Sequence, residues 1–326
     1  MNPSPLRLQL VWDRLLAVVE EQAQTLIRTA FSTTVREAGD LSAGVFDTQG
    51  RMLAQAVTGT PGHVNAMAAS VGAFLRRFPI ETLADGDVLV TNDPWDGTGH
   101  LNDFTVVTPV FRKGRPIALF ASTSHVADVG GLGFSPDGRE VFEEGLQVPI
   151  MPLFRAGAPD ETLLAILRAN VRDPDAAIGD LYGLAGCNRA GGRRLLDTLD
   201  EFGVEDLGEA GRFIIESSAR LMRAEIDRIP AGVYKNAMRV DGYDAPLDLV
   251  CTLTIGDGAV HVDFAGSSPA SAFGVNVPLT YAQAYASFGV RCVVGNEAPN
   301  NAGSLSAVTV SAPAGSILNA IRPAAV

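Results

Sequence analysis

Hydrophobic residues in the N-terminal stretch recur at spacings of three to five and are separated by polar and charged residues. The recurring positions are Leu8, Val11, Leu15, Val18, Ala23, Leu26 and Ala30. Because an α-helix turns about once every 3.6 residues, this pattern predicts one long amphipathic helix. A second run, from Val64 to Phe78, alternates steps of three and four and stops at Pro79, so we expect another helix with one buried face.

Apolar, β-branched runs come next, and most of them occur in pairs separated by turn residues. Residues 41–56 contain two short runs around the sequence DTQG, which predicts a β-hairpin. Residues 86–91 predict a single strand. Residues 104–111 and 117–123, joined by RKGRP, predict a second hairpin.

The pattern becomes helical over 160–228 and returns to strands from residue 231. In this last part, GDG at 256–258 predicts a hairpin, 279–290 a short helix and 305–311 a final strand. Helices and strands fall into separate clusters, and hairpins join most strands. The sequence therefore predicts an α+β fold with mainly antiparallel sheets, a central helical block and a long N-terminal helix.

These patterns divide residues 1–326 into three parts of one region: an N-terminal part (1–158), a helical block (159–229) and a β-rich part (230–326). We expect the candidate chemistry in the N-terminal part. The sequence ends in the apolar stretch GSILNAIRPAAV, where polar, fraying residues are usual. We therefore expect the chain to be truncated at its C-terminus.

Composition narrows the class of partner. The chain is 47% hydrophobic and 19% charged, an ordinary globular composition, and it has a formal net charge of -12. Nucleic acids and anionic membranes both require basic surface to replace their counterions, so neither is expected as a partner. Small molecules and other proteins remain as the expected partners.

The cysteines and the N-terminus indicate the compartment. Cys187, Cys251 and Cys292 are odd in number, widely separated and outside any CxxC motif, which disfavours both a disulfide framework and a thiolate zinc site. The N-terminus lacks the pattern of a signal peptide, and no stretch has the length and apolarity of a membrane span. We expect a cytoplasmic protein.

The segment NDPWDGTGHLNDFTVVTP, residues 92–109, places a histidine between carboxylates directly before a predicted strand. Partner positions across a hairpin add to a constant, and centring the turn on Gly114 places Asp103 opposite His125. Cross-strand pairs have Cβ atoms about 4.5–5.5 Å apart. His100 lies three residues before Asp103, in a Gly-rich stretch that can bring it to the same rim.

Imidazole and carboxylate groups are ligands of Zn²⁺ and Mn²⁺, and three protein ligands with an open position are typical of a catalytic metal. The sequence thus indicates a divalent metal site, zinc or manganese, at His100, Asp103 and His125. Asp40 is a candidate fourth ligand, because it precedes the first predicted hairpin and also lies at a strand mouth.

Simpler roles compete at each of these positions, because a loop histidine is usually just a hydrogen-bonding residue. Asp93 and Asp96 are better explained as turn formers near Pro94 and Gly97. His63 precedes a predicted helix, so helix entry is the first interpretation and lining the same cavity the second. His261 lies in the alternating sequence AVHVDF and is interpreted as an ordinary strand residue.

Two common catalytic motifs are absent from the sequence: the phosphate loop GxxxxGK[ST] and the nucleophile elbow GxSxG. The sequence GGLGFSPDG at 130–138 is rich in glycine but does not open a predicted helix, so we interpret it as a loop beside the metal. We therefore expect no ATP site in this chain.

Several ordered motifs together resemble the hydantoinase B/oxoprolinase family. They are GDVLVTNDPWDGTGHLNDFTVVTPVF, SHVADVGG, EEGLQVP, VDFAGSSP and PNNAG, and the resemblance runs from REAGDLSAGVFDTQGRMLAQA to ILNAIRPAAV. The resemblance implies a metal site at His100, Asp103, His125 and Asp40. Family members normally continue well beyond the residues that match RPAAV.

The resemblance also implies a function: a metal-bearing subunit of an ATP-dependent hydrolase of cyclic amides such as hydantoins, 5-oxoproline or lactams. A hydantoinase A-type partner subunit would bind ATP and phosphorylate the substrate, so a hetero-oligomer is expected. Our own hypothesis for the step is that the metal lowers the pKa of bound water toward about 7 and that a nearby carboxylate, Asp128 or Glu144, accepts the proton. Two alternatives stay open: a subunit of a ketone carboxylase of the acetone or acetophenone type, and a truncated, non-catalytic scaffold.

Overall fold

The computed structural model describes residues 4–58, 60–97, 99–133, 135–243, 245–295 and 297–326. The predicted N-terminal helix is confirmed as α1, Pro5–Thr29. The Ser4 side chain caps it by accepting a hydrogen bond from the backbone N–H of Arg7, and Pro5 occupies the first turn. Buried side chains, among them Leu15 and Leu26, repeat along one face of this helix, as the sequence predicts.

The N-terminal part contains helices and strands in alternation. In chain order they are α2 (Thr33–Ala38), β1 (Leu41–Phe46), β2 (Met52–Gln55), α3 (Pro61–Arg77), a 3₁₀ turn (Ile80–Thr82), β3 (Val88–Thr91), β4 (Asp103–Arg112), β5 (Arg115–His125), α4 (Val141–Glu144), β6 (Met151–Arg155) and β7 (Ala158–Pro159). Both predicted hairpins and the helix from Val64 are confirmed. The sequence pattern missed the short elements α2, α4, β6 and β7, which have two to six residues each.

The rest of the chain follows the predicted change from helices to strands. Its elements are α5 (Glu161–Asn170), α6 (Pro174–Glu201), α7 (Gly208–Ile226), β8 (Gly232–Val240), β9 (Leu247–Gly256), β10 (Ala259–Asp263), α8 (Leu279–Val293), α9 (Ala302–Leu305) and β11 (Val308–Ser311). The last strand begins later than predicted. Asn301 starts α9 by accepting hydrogen bonds from the backbone N–H groups of Gly303 and Ser304, so Leu305 ends a helix instead of opening the strand.

A seven-stranded sheet of order β2-β1-β5-β4-β3-β6-β7 forms the centre of the N-terminal part. All neighbouring pairs in it are antiparallel. Helices α1 and α6 cover one face, and α3 covers the other. A second sheet, of order β11-β10-β9-β8, packs with α7 and α8. Its edge pair β10 and β11 is parallel, but the antiparallel character predicted for the fold otherwise holds.

A buried polar pair joins the covering helices to the large sheet. Gln22 of α1 donates to Asn188 of α6 at 2.8 Å and to the backbone carbonyl of Ala121 in β5 at 3.0 Å. Asn188 in turn donates to the carbonyl of Val106 in β4 at 3.0 Å. Because unpaired polar groups are costly in a core, these bonds fix how the two helices sit on the strands.

The β4–β5 hairpin has the register that the sequence predicts, by a slightly different route. Its turn consists of Lys113 and Gly114, both with positive φ, so the turn is centred half a residue before Gly114. A β-bulge between Val110 and Phe111 then adds one residue to β5. Asp103 consequently pairs with His125, and the predicted pairing is confirmed.

No helix in the described parts of the chain combines the length and the hydropathy that a bilayer crossing requires.

Candidate metal centre

Strand periodicity directs the predicted ligands to one face of the large sheet. Val106 packs in the core beneath α1 and α6, whereas Val107 and Ala121 pack in the core beneath α3. Successive side chains of a strand point to opposite faces. Asp103 and His125 therefore lie on the α3 side, at the end of the hairpin farthest from its turn.

Three imidazoles converge on the carboxylate of Asp103, which is fully buried. Asp103 Oδ2 lies 2.7 Å from His63 Nε2 and 3.0 Å from His100 Nε2. Asp103 Oδ1 lies 3.3 Å from His125 Nδ1, and the rings of His100 and His125 have centroids 5.2 Å apart. This end of the β4–β5 hairpin, called the rim below, thus brings together one carboxylate and three histidines.

His63 is the residue of this group that the sequence interpretation did not count as a ligand. It lies in the first turn of α3 and is only 2% exposed. A signal was present in the sequence, because His63 precedes Met67 by four residues and Met67 belongs to the apolar stripe of the helix. Helix α3 carries that stripe onto the sheet face that holds Asp103, so His63 arrives there with it.

Asp40 lies behind His63, just before β1. Its Oδ1 accepts a hydrogen bond from the Thr60 hydroxyl at 2.7 Å and lies 3.3 Å from His63 Nδ1. The two ring nitrogens of His63 thus contact Asp40 on one side and Asp103 on the other. A carboxylate behind a histidine fixes the tautomer and orientation of the ring in many metal sites.

Electrostatic effects in the cluster stabilise charged forms despite burial. Burial raises the pKa of the Asp103 carboxyl, but the positive charges of His100 and His63 outweigh it and hold that pKa well below its usual value. Burial lowers the pKa of His63, but the negative charges of Asp103 and Asp40 outweigh it and the net shift is upward. The Asp103 carboxyl therefore stays ionised, which is the form that binds a metal ion.

The side chains fit a divalent metal ion. His63, His100 and Asp103 present ligand atoms that all lie within 4.8 Å of one another. Ligand atoms around a tetrahedral ion with bonds of about 2.0–2.1 Å lie roughly 3.3 Å apart. Among the described residues, neither oxygen of Asp103 has a hydrogen-bond donor in acceptable geometry, although ring nitrogens approach both. Such an arrangement suits lone pairs directed at a shared ion.

The loop that carries His100 is fixed by two asparagines. Asn92 donates from Nδ2 to the backbone carbonyls of Leu101 at 2.8 Å and Leu146 at 2.9 Å. Asn102 donates to the carbonyl of Val126 at 3.0 Å, immediately beyond the end of β5. These bonds tie the loop to the strand ends on either side of it.

Asp93 acts as the sequence interpretation expected, as a turn former. Its Oδ1 accepts a hydrogen bond from the backbone N–H of Trp95 at 3.0 Å, and its Oδ2 accepts one from Gln147 at 2.8 Å. Arg322 pairs with the same carboxylate and stacks over the ring of Trp95. Asp96 lies within that turn.

His261 is a strand residue, as expected. It lies in β10, pairs with Thr309 of β11 and is exposed. Its Nδ1 lies 2.9 Å from the Thr309 hydroxyl and its Nε2 lies 3.2 Å from the Ser311 hydroxyl. Both of these partners are residues of the second sheet.

Glu144, one of the two proposed proton acceptors, lines a cavity beside His100. The cavity measures about 210 Å³, and its wall also includes Ser135 and Gly274. Glu144 is 7% exposed, and its Oε1 accepts a hydrogen bond from the backbone N–H of Val326 at 3.0 Å. Burial raises the pKa of this carboxyl to about 7, with smaller opposing effects from that hydrogen bond and from His100.

Asp128, the other proposed acceptor, is engaged elsewhere. Its Oδ1 pairs with the Arg172 guanidinium at 2.5 Å and accepts a hydrogen bond from the backbone N–H of Gly130 at 3.3 Å. Burial raises the pKa of Asp128, but the hydrogen bonds and charge of Arg172 outweigh it and lower the pKa. The structure thus brings Glu144, and not Asp128, to the wall of the cavity next to His100.

A larger cavity of about 530 Å³ lies at the opposite end of the sheet. Arg51, Arg115, Ile117 and Arg212 are among its lining residues. Ile117 and His125 are separated by eight residues of β5, or about 27 Å at 3.4 Å per residue. This cavity is therefore remote from the histidine cluster.

The hydantoinase B/oxoprolinase family model matches residues 4–326. Among curated relatives, 5-oxoprolinase 1 of Arabidopsis thaliana is 29% identical over 96% of this chain and 27% of its own length. Caprolactamase subunit beta of Pseudomonas jessenii is 28% identical over 98% of this chain and 56% of its own length. The chain thus spans between about a quarter and just over half of these relatives.

Two solved structures share the fold. The ATP-dependent caprolactamase from Pseudomonas jessenii matches with a TM-score of 0.91 and 26% identity, over 99% of this chain and 56% of that one. Acetone carboxylase, in a nucleotide-free structure, also gives a TM-score of 0.91, at 20% identity over 99% of this chain and 45% of that one. With the family model covering nearly every residue, the chain belongs to the hydantoinase B/oxoprolinase family.

Proposed function

We propose that this chain is the metal-bearing subunit of an ATP-dependent cyclic amide hydrolase, acting on hydantoins, 5-oxoproline or lactams. The observation that carries the proposal is the convergence of His63, His100 and His125 on the buried Asp103. The names of the relatives support this substrate class, since 5-oxoprolinase and caprolactamase both act on cyclic amides.

The ligand set we propose is His63, His100, Asp103 and His125, with Asp40 behind His63. A bound Zn²⁺ or Mn²⁺ would polarise a substrate oxygen and lower the pKa of water toward about 7. Asp103 supplies the negative charge that holds the cation. Asp40, whose Oδ1 lies 3.3 Å from His63 Nδ1, would favour the proton on that nitrogen and so leave the lone pair of Nε2 for the ion.

Glu144 is the proton acceptor that the geometry favours. It lines the cavity next to His100, and a pKa of about 7 lets it accept a proton near neutral pH and release it again. Asp128 keeps its carboxylate on Arg172 and its pKa below the usual value, which suits holding the loop in place. The cavity of about 210 Å³ is below the range of drug-sized pockets and suits a small ring.

ATP and the partner belong to the proposal as well. The caprolactamase of the solved structure is ATP-dependent. The caprolactamase chain that is similar to this one is a beta subunit. We propose that a hydantoinase A-type subunit binds ATP, activates the substrate and passes it to the rim in a hetero-oligomer. The free thiols of Cys187, Cys251 and Cys292 are consistent with a reducing, cytoplasmic setting.

The experiment reconstitutes this chain with a hydantoinase A-type subunit and measures ATP-dependent opening of hydantoin, 5-oxoproline and caprolactam. The variants are His125→Ala and, as the matched control, His261→Ala. Ring opening and bound metal that are lost in His125→Ala but kept in His261→Ala support the proposal. A His125→Ala variant with the metal content and turnover of the parent removes it.

The same reconstitution separates the alternatives. Incorporation of isotopic bicarbonate into a ketone would identify a carboxylase subunit, which the likeness in fold to acetone carboxylase keeps as the second candidate. A metal-loaded chain without turnover on either substrate class, beside an active partner, would identify a non-catalytic scaffold.

A further inference from the structure

Both histidines that contact Asp103 Oδ2 directly follow a glycine. Gly62 precedes His63 in the first turn of α3, and Gly99 precedes His100 in the loop before β4. Gly99 has a φ of +106°, a conformation that residues with a side chain rarely adopt. Directly before each of these two histidines, the backbone therefore carries no side chain, and another group can pack closely against it.

One aromatic ring, that of Tyr281 in α8, lies against both glycines. A Cβ placed on Gly99 would meet Cγ and Cδ2 of Tyr281 at 2.7 Å each, and one placed on Gly62 would meet its Cε2 at 3.1 Å. A Cβ on Gly62 would also meet Tyr285 Cε2 at 2.3 Å. The Cδ2–Cε2 edge of Tyr281 thus spans from one ligand-bearing segment to the other.

This ring has little freedom to move. A Cβ on Gly99 would also lie 3.1 Å from Cβ of Tyr281, so the base of this side chain, and not only its outer ring, lies against Gly99. Tyr285 packs edge-on against it, with ring centroids 5.0 Å apart. Helix α8 is in turn held on α3, where Asn65 donates to the carbonyl of Ala284 at 3.2 Å.

The hydroxyl of Tyr281 adds no charge to the rim. Burial raises the pKa of this phenol, and the neighbouring Tyr285 and the negative charges of Asp103 and Asp40 raise it further. The side chain stays neutral at any physiological pH. The ring, and not a charge, is therefore what Tyr281 contributes.

We propose that Tyr281 is a positioning residue of the metal centre: its ring edge fixes the backbone at Gly62 and Gly99 so that His63 and His100 meet at Asp103. The inference rests on the proposed function, since it assigns a role at the proposed metal centre. It also makes the site a joint product of two parts of the chain, because the ligands come from the N-terminal part and the ring that aligns them from the β-rich part.

The test is a Co²⁺ titration of the parent and of three variants, Tyr281→Ala, Tyr281→Phe and Tyr234→Ala. Competition with a chelator gives the affinity for Co²⁺, and the visible absorption of the bound ion reports the ligand geometry. Tyr234 is an exposed strand tyrosine whose hydroxyl bonds the carbonyl of Pro230, so it controls for loss of an aromatic residue. Tyr281→Ala should bind Co²⁺ about 10- to 100-fold more weakly, the usual loss when an outer partner of a ligand is removed, and with an altered spectrum. Tyr281→Phe keeps the ring and should match the parent, as should Tyr234→Ala.

Gly99→Ala provides a second variant that disturbs the same contact from the opposite side, and it keeps the inference testable if Tyr281→Ala does not fold. It should weaken Co²⁺ binding to a similar degree. A folded Tyr281→Ala or Gly99→Ala with the affinity and spectrum of the parent overturns the inference, as does a Tyr281→Phe that fails as Tyr281→Ala does. A parent that binds no Co²⁺ overturns the metal centre itself and this inference with it.

Discussion

Asp103 and His125 face each other as the last cross-strand pair at the open end of the β4–β5 hairpin, with Asp103 Oδ1 3.3 Å from His125 Nδ1. Their pairing depends on a bulge near the other end of the hairpin, between Val110 and Phe111. Without the extra residue, His125 would be displaced by one position and its side chain would point to the other face of the sheet. The candidate site is thus tied to the geometry of a turn far from it.

His63→Ala should weaken Zn²⁺ or Mn²⁺ binding by more than about 100-fold, because removing a ligand costs more than the 10- to 100-fold typical of an outer partner. Its Nε2 lies 2.7 Å from Asp103 Oδ2, which makes it a central member of the cluster. The measurement is calorimetric titration of metal-free protein. His261→Ala, a change of an exposed strand histidine, should titrate like the parent, and equal affinities for the two variants would show that His63 is not a ligand.

Asp40→Ala should weaken metal binding by about 10- to 100-fold, less than His63→Ala, because Asp40 contacts the far nitrogen of His63. Asp96→Ala, in the turn that precedes His100, is the matched control and should leave the affinity unchanged. The same calorimetric titration measures both. A loss in Asp40→Ala as large as in His63→Ala would mean that Asp40 binds the ion directly, as the family resemblance implies.

Glu144 should make stability depend on pH between about 4.5 and 7. Burial raises the pKa of its carboxyl from the ordinary value of 4.5 to about 7 in the folded chain. In that window the folded state binds a proton that the unfolded state has released, so the free energy of unfolding falls as pH rises and levels off above about 7.

Glu144→Gln removes this dependence, because the amide does not titrate. Urea unfolding of both proteins at pH 5 and pH 8 gives the comparison. The parent should lose stability relative to Glu144→Gln on going from pH 5 to pH 8. A difference between the two proteins that is the same at both pH values would show that the carboxyl titrates normally in the fold.

Two glycines of α6 should respond oppositely to alanine. A Cβ on Gly191 would lie 2.5 Å from Cε1 of Phe120, which is fully buried in β5, so Gly191→Ala should destabilise the fold by about 1–3 kcal/mol. A Cβ on the exposed Gly186 would meet nothing within 4 Å, so Gly186→Ala should stabilise it by about 0.5–1 kcal/mol through helix propensity. Thermal and urea unfolding measure both, and a neutral Gly191→Ala would contradict the observed packing of α6 on the sheet.

Much of the fold could be predicted from residue patterns because the long elements carry clear periods. Helix α1 shows its buried face in the spacing of Leu15, Val18 and Leu26, and the β4–β5 hairpin shows its register through Gly114. The short elements could not be predicted in this way. Helix α9 depends on a cap at Asn301, and β6 contains Pro152, which interrupts the usual strand composition.

The site was predictable as far as it depends on one hairpin. Asp103 and His125 follow from cross-strand register, and His100 from its nearness to Asp103 in the sequence. His63 and Tyr281 come from helices that pack onto the rim, and the sequence carries no direct measure of where a helix meets a sheet. The four-residue spacing between His63 and Met67 indicated that His63 lies on the buried face of α3. It did not indicate where along the strands of the sheet His63 would lie.

The central claim is that Asp103 organises a divalent metal site, and the most direct measurement is the metal content and affinity of the parent and of Asp103→Asn. Asp180→Asn is the matched control, because Asp180 is also buried but accepts hydrogen bonds from the backbone N–H groups of Phe31 and Ser32, away from the rim. After loading with Zn²⁺ or Mn²⁺ and dialysis, the parent and Asp180→Asn should retain one ion per chain, and Asp103→Asn none. A parent that retains no ion, or an Asp103→Asn that retains as much as the parent, would contradict the account.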